Sequence, residues 1–484
     1  MVDPNGVIHV ANVAGTPSLD PHATTSEIVW LLSTMPMVYD QLFAIDAQGN
    51  PKGRLVTDWS YSDDGLALNL VLREDVAFRD GTPLDAAAVK ASLDRARTLD
   101  TPVVSKRMAP VTAVDVTAPY EVRLTLDSPT PTIPYVLAEC AGFIMHPDLI
   151  ANGDPATEAN GSGAYSVASF TPRERLELVR DNDDYWDPDA AQVESVTFEA
   201  IGDKQAYVNA VISEQVDLGN YQSYGNEVAG QDHLEVVQVP TGTGVQLVFN
   251  PDIEPLGNLE VRQAINHAID RQTLVEALMP GSEVTEQYAR EGFAGYDPEL
   301  AGTYDYDPEK AKSLLAEAGH PDGIDLGDML ISQAIVPGTS DVVAEQLAEV
   351  GIRIRPIVVD PQTIGSQWME GRNASMLTFA QTGTEFSAGA ATRWGPRFQP
   401  TGMPEEFTLM LAEAADNRLD DAERAARYRD VNRYLVEQAI AAPIVWIDDQ
   451  WIVNKRVQGF SADSDYAGTT SPLAWVPRGL AVTE

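Results

Sequence analysis

Residues 339–360 read TSDVVAEQLAEVGIRIRPIVVD. The first half has helical periodicity, Gly351 stands where a helix C-terminus needs a left-handed residue, and the rest is a β-branched run. Helix, glycine stop and strand in direct succession form the α-to-β step of an α/β layer. The same alternation runs through the second half of the chain. It recurs at 258–278, in DPEKAKSLLAEAG (307–319), and in the amphipathic DDAERAARYRDVNRYLVEQA (420–439), which the strand APIVWI (442–447) follows.

The first half is richer in hairpins. GVIHVANVAG (6–15) predicts a strand, TPSLDPHATTSE (16–27) a loop, and a helical stretch follows through Tyr39 to Phe43. In WSYSDDGLALNLVLREDVAF (59–78), Asp64-Gly65 is a turn signal between two alternating runs. TPLDAAAVKASLDRARTL (82–99) predicts a helix with Thr82 as N-cap, Pro83 at the first helical position and Asp85 in the first turn. Strand pairs are expected over 111–128 and again from 161 to 186, with a polar turn near Pro172. The chain has 484 residues, more than one ordinary core accommodates, so two α/β lobes are expected, one bearing a hairpin-rich insertion.

Composition narrows the function. A formal net charge of -41 repels phosphate backbones and anionic lipid, which argues against nucleic-acid and direct membrane binding. No apolar run reaches the roughly 20 residues that span a bilayer. MVDPNGVIHVANVAG carries neither a basic segment nor an apolar signal core, as expected of a cytosolic chain or of one whose export signal has been removed. The single cysteine, Cys140, lies in the apolar YVLAECAGFIM and reads as a buried small hydrophobe. The six histidines lack metal-ligand spacing, so neither a metal nor a cofactor is expected.

Candidate sites sort as follows. DNDDYWDPD (181–189) places Trp186 and Gln192 where a calcium loop needs glycine and glutamate, and reads as a solvated turn after a strand. GTGVQL and GSGAY lack the spacing of a phosphate loop or a nucleophile elbow. In 258–278, His267, Asp270 and Arg271 would share a helix face and invite an acid–base reading. The alternative is structural: Asn258 caps a helix whose stripe is Val261, Ile265 and Ile269, and Asp270 caps a second helix. A turn there separates His267 from Arg271. Two Gly/Ser/Thr-rich segments with aromatics, GNYQSYG (219–225) and TFAQTGTEFSAGAATRWGPRF (378–398), read as loops suited to a zwitterionic or amphiphilic solute.

In these blocks the chain resembles the solute-binding proteins of ABC importers in the peptide/nickel class. LDPHATTSEIVWLLSTMPMVYDQLFAID, SDDGLALNLVLREDVAFRDGTPLDAAAVKASLDRA and GSGAYSVASF…LVRDNDDYW are similar to its N-terminal blocks, in the family's order. EVRQAINHAIDRQTLVEAL and YDYDPEKAKSLLAEAGHPDG resemble two signatures of its second lobe. The resemblance implies an α/β, two-lobed periplasmic-binding-protein fold of the clamp-like type II, with an extra hairpin-rich subdomain inserted in lobe I. Lobe I would comprise 1–39, 161–247 and 458–484, the inserted subdomain 40–160, and lobe II 248–457, with the hinge near 247–251 and 451–457. It further implies an extracytoplasmic monomer, periplasmic or lipid-anchored, that passes a peptide or other small amphiphilic solute to membrane permease subunits without reaction. Cleft-facing candidates are Asp20, His22, Thr25 and Ser26 in the first loop, Tyr221 and Tyr224, and Gln381, Glu385, Phe386, Arg393 and Trp394. The aspartate motif with which many peptide-binding members hold the peptide amino terminus is missing from 378–398; Glu385 and Arg393 are the candidate substitutes. The rival readings are an extracellular hydrolase using paired carboxylates and a receptor not coupled to transport.

Overall fold

A computed structural model describes all residues except 1–2, 4, 24–27, 47–48, 102, 183, 221–227, 229, 333–337, 371–373, 382–393, 395–401, 461–478 and 484. The chain folds as two compact units. Unit 1 holds Met1–Pro240, Asp416–Arg418 and Asp449–Glu484; unit 2 holds Thr241–Ala415 and Leu419–Asp448.

In unit 1, β1 (Val7–Asn12) pairs in parallel with β10 (Ser195–Ala200) and β11 (Leu218–Asn220). β9 (Arg175–Arg180) and β8 (Tyr165–Thr171) extend the sheet antiparallel beyond β10. Alternation along β1 covers both faces. Ile8 and Val10 enter the large core, while Ala11 packs with Tyr207, Val208 and Val211 of α3 (Lys204–Ile212). Helix α1 (Ile28–Thr34) runs into a 3₁₀ turn at Met35–Met37 that contains Pro36, and β2 (Phe43–Ile45) then pairs with β3 (Pro51–Gly53). The helix expected through Tyr39 to Phe43 therefore ends early: Pro36 disfavours the α conformation of the residue before it, and Phe43 begins a strand.

A separate four-stranded sheet, β4 (Val56–Tyr61), β5 (Ala67–Leu72), β7 (Glu121–Leu126) and β6 (Val111–Ala118), occupies the stretch read as hairpins. Gly65, at φ +71, makes the β4–β5 turn. α2 (Ala86–Thr98) packs Val89 and Leu93 into the same core as Leu68, Leu70 and Leu124. Its N-cap is Asp85 rather than Thr82: the Asp85 carboxylate accepts from Ala87 N and Ala88 N, whereas the Thr82 carbonyl is taken by Phe78 N.

Unit 2 is a three-layer α/β body. β14 (Ile324–Ser332) pairs in parallel with β15 (Ile352–Val359) and β16 (Met376–Gln381), and β12 (Leu234–Phe249) runs antiparallel to β16. β17 (Ala441–Asn454) neighbours β12 and carries the short β13 (Glu283–Val284). Strand alternation splits the core in two. Leu247, Phe249, Met329, Ile331 and Met376 face α4 (Leu259–His267), α5 (Arg271–Leu278), α6 (Pro308–Glu317) and α7 (Thr339–Glu349). Val248, Leu330 and Leu377 face α8 (Glu405–Ala414) and α9 (Asp421–Glu437), which contribute Phe407, Val431 and Leu435. The step at 339–360 is α7, Gly351 at φ +88, then β15. β12 and β17 each run from one unit into the other. The short pair β18 (Val457–Gln458) and β19 (Ala481–Val482) lies in unit 1.

Candidate functional site

In open α/β sheets ligands gather off the carboxyl ends of parallel strands, where loops and unpaired backbone groups converge. In unit 1 this edge is formed by Asn12, its register partner Ala200, and Asn220. The first loop leaves it after Asn12. Tyr221 and Tyr224 follow Asn220 and, like Thr25 and Ser26, lie outside the described residues.

The described part of that loop is bolted down. Asp20 is 4% exposed, and Arg95 of α2 grips its carboxylate through two bonds of 2.9 and 2.5 Å. His22 is fully buried; its backbone N donates to Asp20 Oδ1 at 3.0 Å, and its ring Nε2 lies 3.2 Å from the Phe143 carbonyl. Burial and the nearby Arg95 charge pull the His22 pKa down to about 4, against the opposing pulls of Asp20 and the Phe143 carbonyl, so the ring is neutral at pH 7. Thr101 Oγ1 donates to the His22 carbonyl, and Leu19 N to that of Ala156. The loop's entry is thus fixed on the inserted helix. The sequence singled out Asp20 and His22; it gave no sign of Arg95, whose partner lies 75 positions away.

In unit 2 the corresponding edge is formed by Ser332, Val359 and Gln381, with Gly244 of β12 opposite Gln381. Gln381 closes β16, and Glu385, Phe386 and Arg393 follow it outside the described residues. Trp394 is described: it is 2% exposed and meets Tyr288 edge-on, with ring centroids 5.2 Å apart at 89°. Its indole Nε1 finds no hydrogen-bond partner among the described residues. The same is true of the buried Asn12 Nδ2 at the end of β1 and of Trp446 Nε1 on β17. Buried donors left unpaired are uncommon, because each forfeits about 1–3 kcal/mol of solvation. APIVWI reads as plain core strand, which is why Trp446 went unnoticed.

Two other motifs are structural. Asn258 caps α4, Val261, Ile265 and Ile269 are fully buried, and Asp270 caps α5 by accepting from Thr273 N at 3.0 Å and Thr273 Oγ1 at 2.8 Å. The chain turns between the helices, so His267 Nδ1 meets the Asp305 carbonyl at 2.9 Å, while Arg271 fans out over other carbonyls. DNDDYWDPD is more than a solvated turn. Arg79 bonds Asp181, Tyr185 OH and Trp186 Nε1 donate to the fully buried Asp40 carboxylate, and Arg54 and Arg73 lie 4.6 and 3.6 Å from the Trp186 ring centroid. Cys140 is buried, which pushes its thiol up to about 12. Among the described residues, no group of three His, Cys, Asp or Glu could hold a metal ion, and no helix is long and apolar enough to cross a membrane.

The model of the bacterial extracellular solute-binding proteins, family 5 Middle, matches residues 50–395. The chain belongs to this family. Family 5 proteins are the solute-binding components of ABC importers, and this chain is one of them. It is 28% identical over 450 residues to the glutathione-binding protein GsiB of Salmonella paratyphi A, covering 87% of this chain and 84% of that one. Among solved structures, HbpA2 of Haemophilus parasuis superposes with a TM-score of 0.84 at 21% identity, covering 99% and 100% of the two chains. The periplasmic binding protein DppA of Helicobacter pylori, in complex with the peptide STSA, gives 0.74 at 20% identity over 99% and 98%. These likenesses establish the two-lobed fold expected from the sequence blocks.

Proposed function

We propose that this protein captures a short peptide or another small amphiphilic solute and hands it unchanged to a membrane permease, acting as a monomer outside the cytoplasmic membrane, free or lipid-anchored. The observation that carries the reading is a set of buried donors with no partner among the described residues: Asn12 Nδ2 at the end of β1, Trp394 Nε1 beyond β16 and Trp446 Nε1 on β17. Donors held dry and unpaired suit a ligand bearing carbonyl or carboxylate oxygens. Relatives named for glutathione and a relative holding STSA fit the same class of ligand. Within this reading Thr25, Ser26, Tyr221, Tyr224, Gln381, Glu385, Phe386, Arg393 and Trp394 are the contacts, while Asp20 and His22 hold the first loop in place. The lobes are assigned as 1–39, 161–247 and 458–484 for lobe I, 40–160 for its insertion and 248–457 for lobe II.

The test is a thermal-shift and calorimetric screen of peptides, glutathione, oligosaccharides and metal chelates, with each hit recovered and analysed. A saturable one-to-one hit, with a melting temperature that climbs with ligand concentration and a ligand returned intact, supports the reading. Conversion of the hit with turnover refutes it.

A further inference from the structure

Where β17 leaves unit 2, at Asp448, it carries a charged cluster. Glu283 opens β13 and stands in register with Trp446 of β17, and Asp448 lies two residues beyond Trp446. Residues in register, and residues two apart on a strand, put their side chains on one face, so Glu283, Trp446 and Asp448 share a face. Arg290 ties the two acids together: its Nε donates to Glu283 Oε2 at 3.0 Å and its Nη1 sits 2.6 Å from Asp448 Oδ1. The Arg290 and Asp448 side chains are 8% and 11% exposed, whereas that of Glu283 is 38% exposed. The cluster is therefore a buried pair with a second carboxylate open at its rim.

Three further observations make it more than a staple. The first is charge: two carboxylates face one guanidinium, and Glu291 stands next to Arg290 in sequence. Burial pushes the Glu283 carboxyl up, Arg290 opposes that rise, and Asp448 and Glu291 add to it. The second is Trp446, 4% exposed on the shared face, whose Nε1 has no hydrogen-bond partner among the described residues. The third is Trp394, whose own Nε1 has no partner among the described residues and whose ring packs on Tyr288, two residues before Arg290. The segment between is rigid. Thr285 N donates to the Ile444 carbonyl, Tyr288 N to Asn432 Oδ1 at 2.9 Å, and Tyr288 OH to the Ala441 carbonyl at 3.1 Å.

We propose that Glu283, Asp448 and Trp446, held in place by Arg290, form a subsite for a primary ammonium carried beside a carbonyl or carboxylate oxygen. The ammonium supplies the positive charge that balances the second carboxylate, and the neighbouring oxygen accepts from the buried indole N–H. This deepens the binding reading and rests on it: the ligand class becomes one with a free amino terminus or an α-amino acid moiety.

The experiment measures affinity for Ser-Thr-Ser-Ala and glutathione and for their N-acetylated forms, on the wild type and on Glu283→Gln, by calorimetry. The subsite predicts that the wild type prefers the free amine by about tenfold or more. It also predicts that Glu283→Gln removes most of that preference while leaving affinity for the acetylated form within about twofold, so the acetylated ligand doubles as a control for folding. Equal affinity of the wild type for free and acetylated forms keeps the peptide reading and overturns the subsite, with no variant required. An undiminished preference in Glu283→Gln overturns it too, as does an equal loss for both forms. A wild type that binds neither form overturns the peptide reading, and the subsite with it.

Discussion

Two buried arginines of unit 2 reach the same strand, β17, and end in opposite conditions. Arg271 donates to the carbonyls of Pro443, Asn266, Ile269 and Tyr304 and to Asn266 Oδ1. Among the described residues no carboxylate bonds it, and burial draws its pKa down to about 10, against the pull of Glu286. Four of these five bonds go to backbone carbonyls and the fifth to the side chain of Asn266, so the group closes the turn between α4 and α5. Arg290, in contrast, is shared by two acids, one of them at the rim, and the Trp446 indole N–H on β17 has no partner among the described residues. The contrast separates scaffold from site better than residue type does: a structural cluster satisfies itself, and a recognition cluster leaves charge and donors for a ligand.

The largest effect is expected where the bonds go to the scaffold itself. Arg271→Met leaves several buried carbonyls without a donor and should cost about 3 kcal/mol in urea unfolding, with ligand affinity of the folded fraction unchanged. In unit 1 the Asp20–Arg95 pair is similarly closed, and Arg95→Met should cost about 2 kcal/mol while also weakening solute binding through the loosened first loop. His22 beside it sets a pH dependence. Its folded pKa, about 4, lies below the ordinary 6.5, so the unfolded chain binds more protons between those values. The contribution of His22 is thus fully present above about pH 6.5 and is lost as pH falls towards 4; His22→Gln should flatten the slope of stability against pH in that window. Asp270→Ala removes one N-cap and should cost about 1 kcal/mol, with no change in binding. Glu283→Gln should move unliganded stability by less than about 0.5 kcal/mol, because Arg290 keeps Asp448. A loss as large as that for Arg271→Met would erase the distinction between the two arginines.

How much of this was written in the sequence depends on the range of the interaction. The caps at Asn258 and Asp270, the Asp64-Gly65 turn and the glycine stop at Gly351 are local, and each was legible because partner and signal lie within a few residues. Asp85 took the cap expected of Thr82 because the Thr82 carbonyl was already engaged by Phe78, a tertiary detail that pattern cannot see. The Arg95 grip on Asp20, the Arg54–Trp186–Arg73 stack and the tie between Arg290 and Asp448 join residues 75 to 158 positions apart, or across strands whose pairing only the fold decides. The Gly-, Ser- and Thr-rich stretches with aromatics lie mostly outside the described residues, and Trp446, whose indole has no partner among the described residues, sits in a run indistinguishable from core.

The central claim is recognition without reaction, and one measurement meets it directly. Titration of the purified protein with glutathione and Ser-Thr-Ser-Ala in a calorimeter, followed by mass analysis of the recovered ligand, should give saturable one-to-one binding of at least one of them and return it chemically unchanged. No saturable binding to any free-amine peptide, or a ligand recovered cleaved, would contradict it.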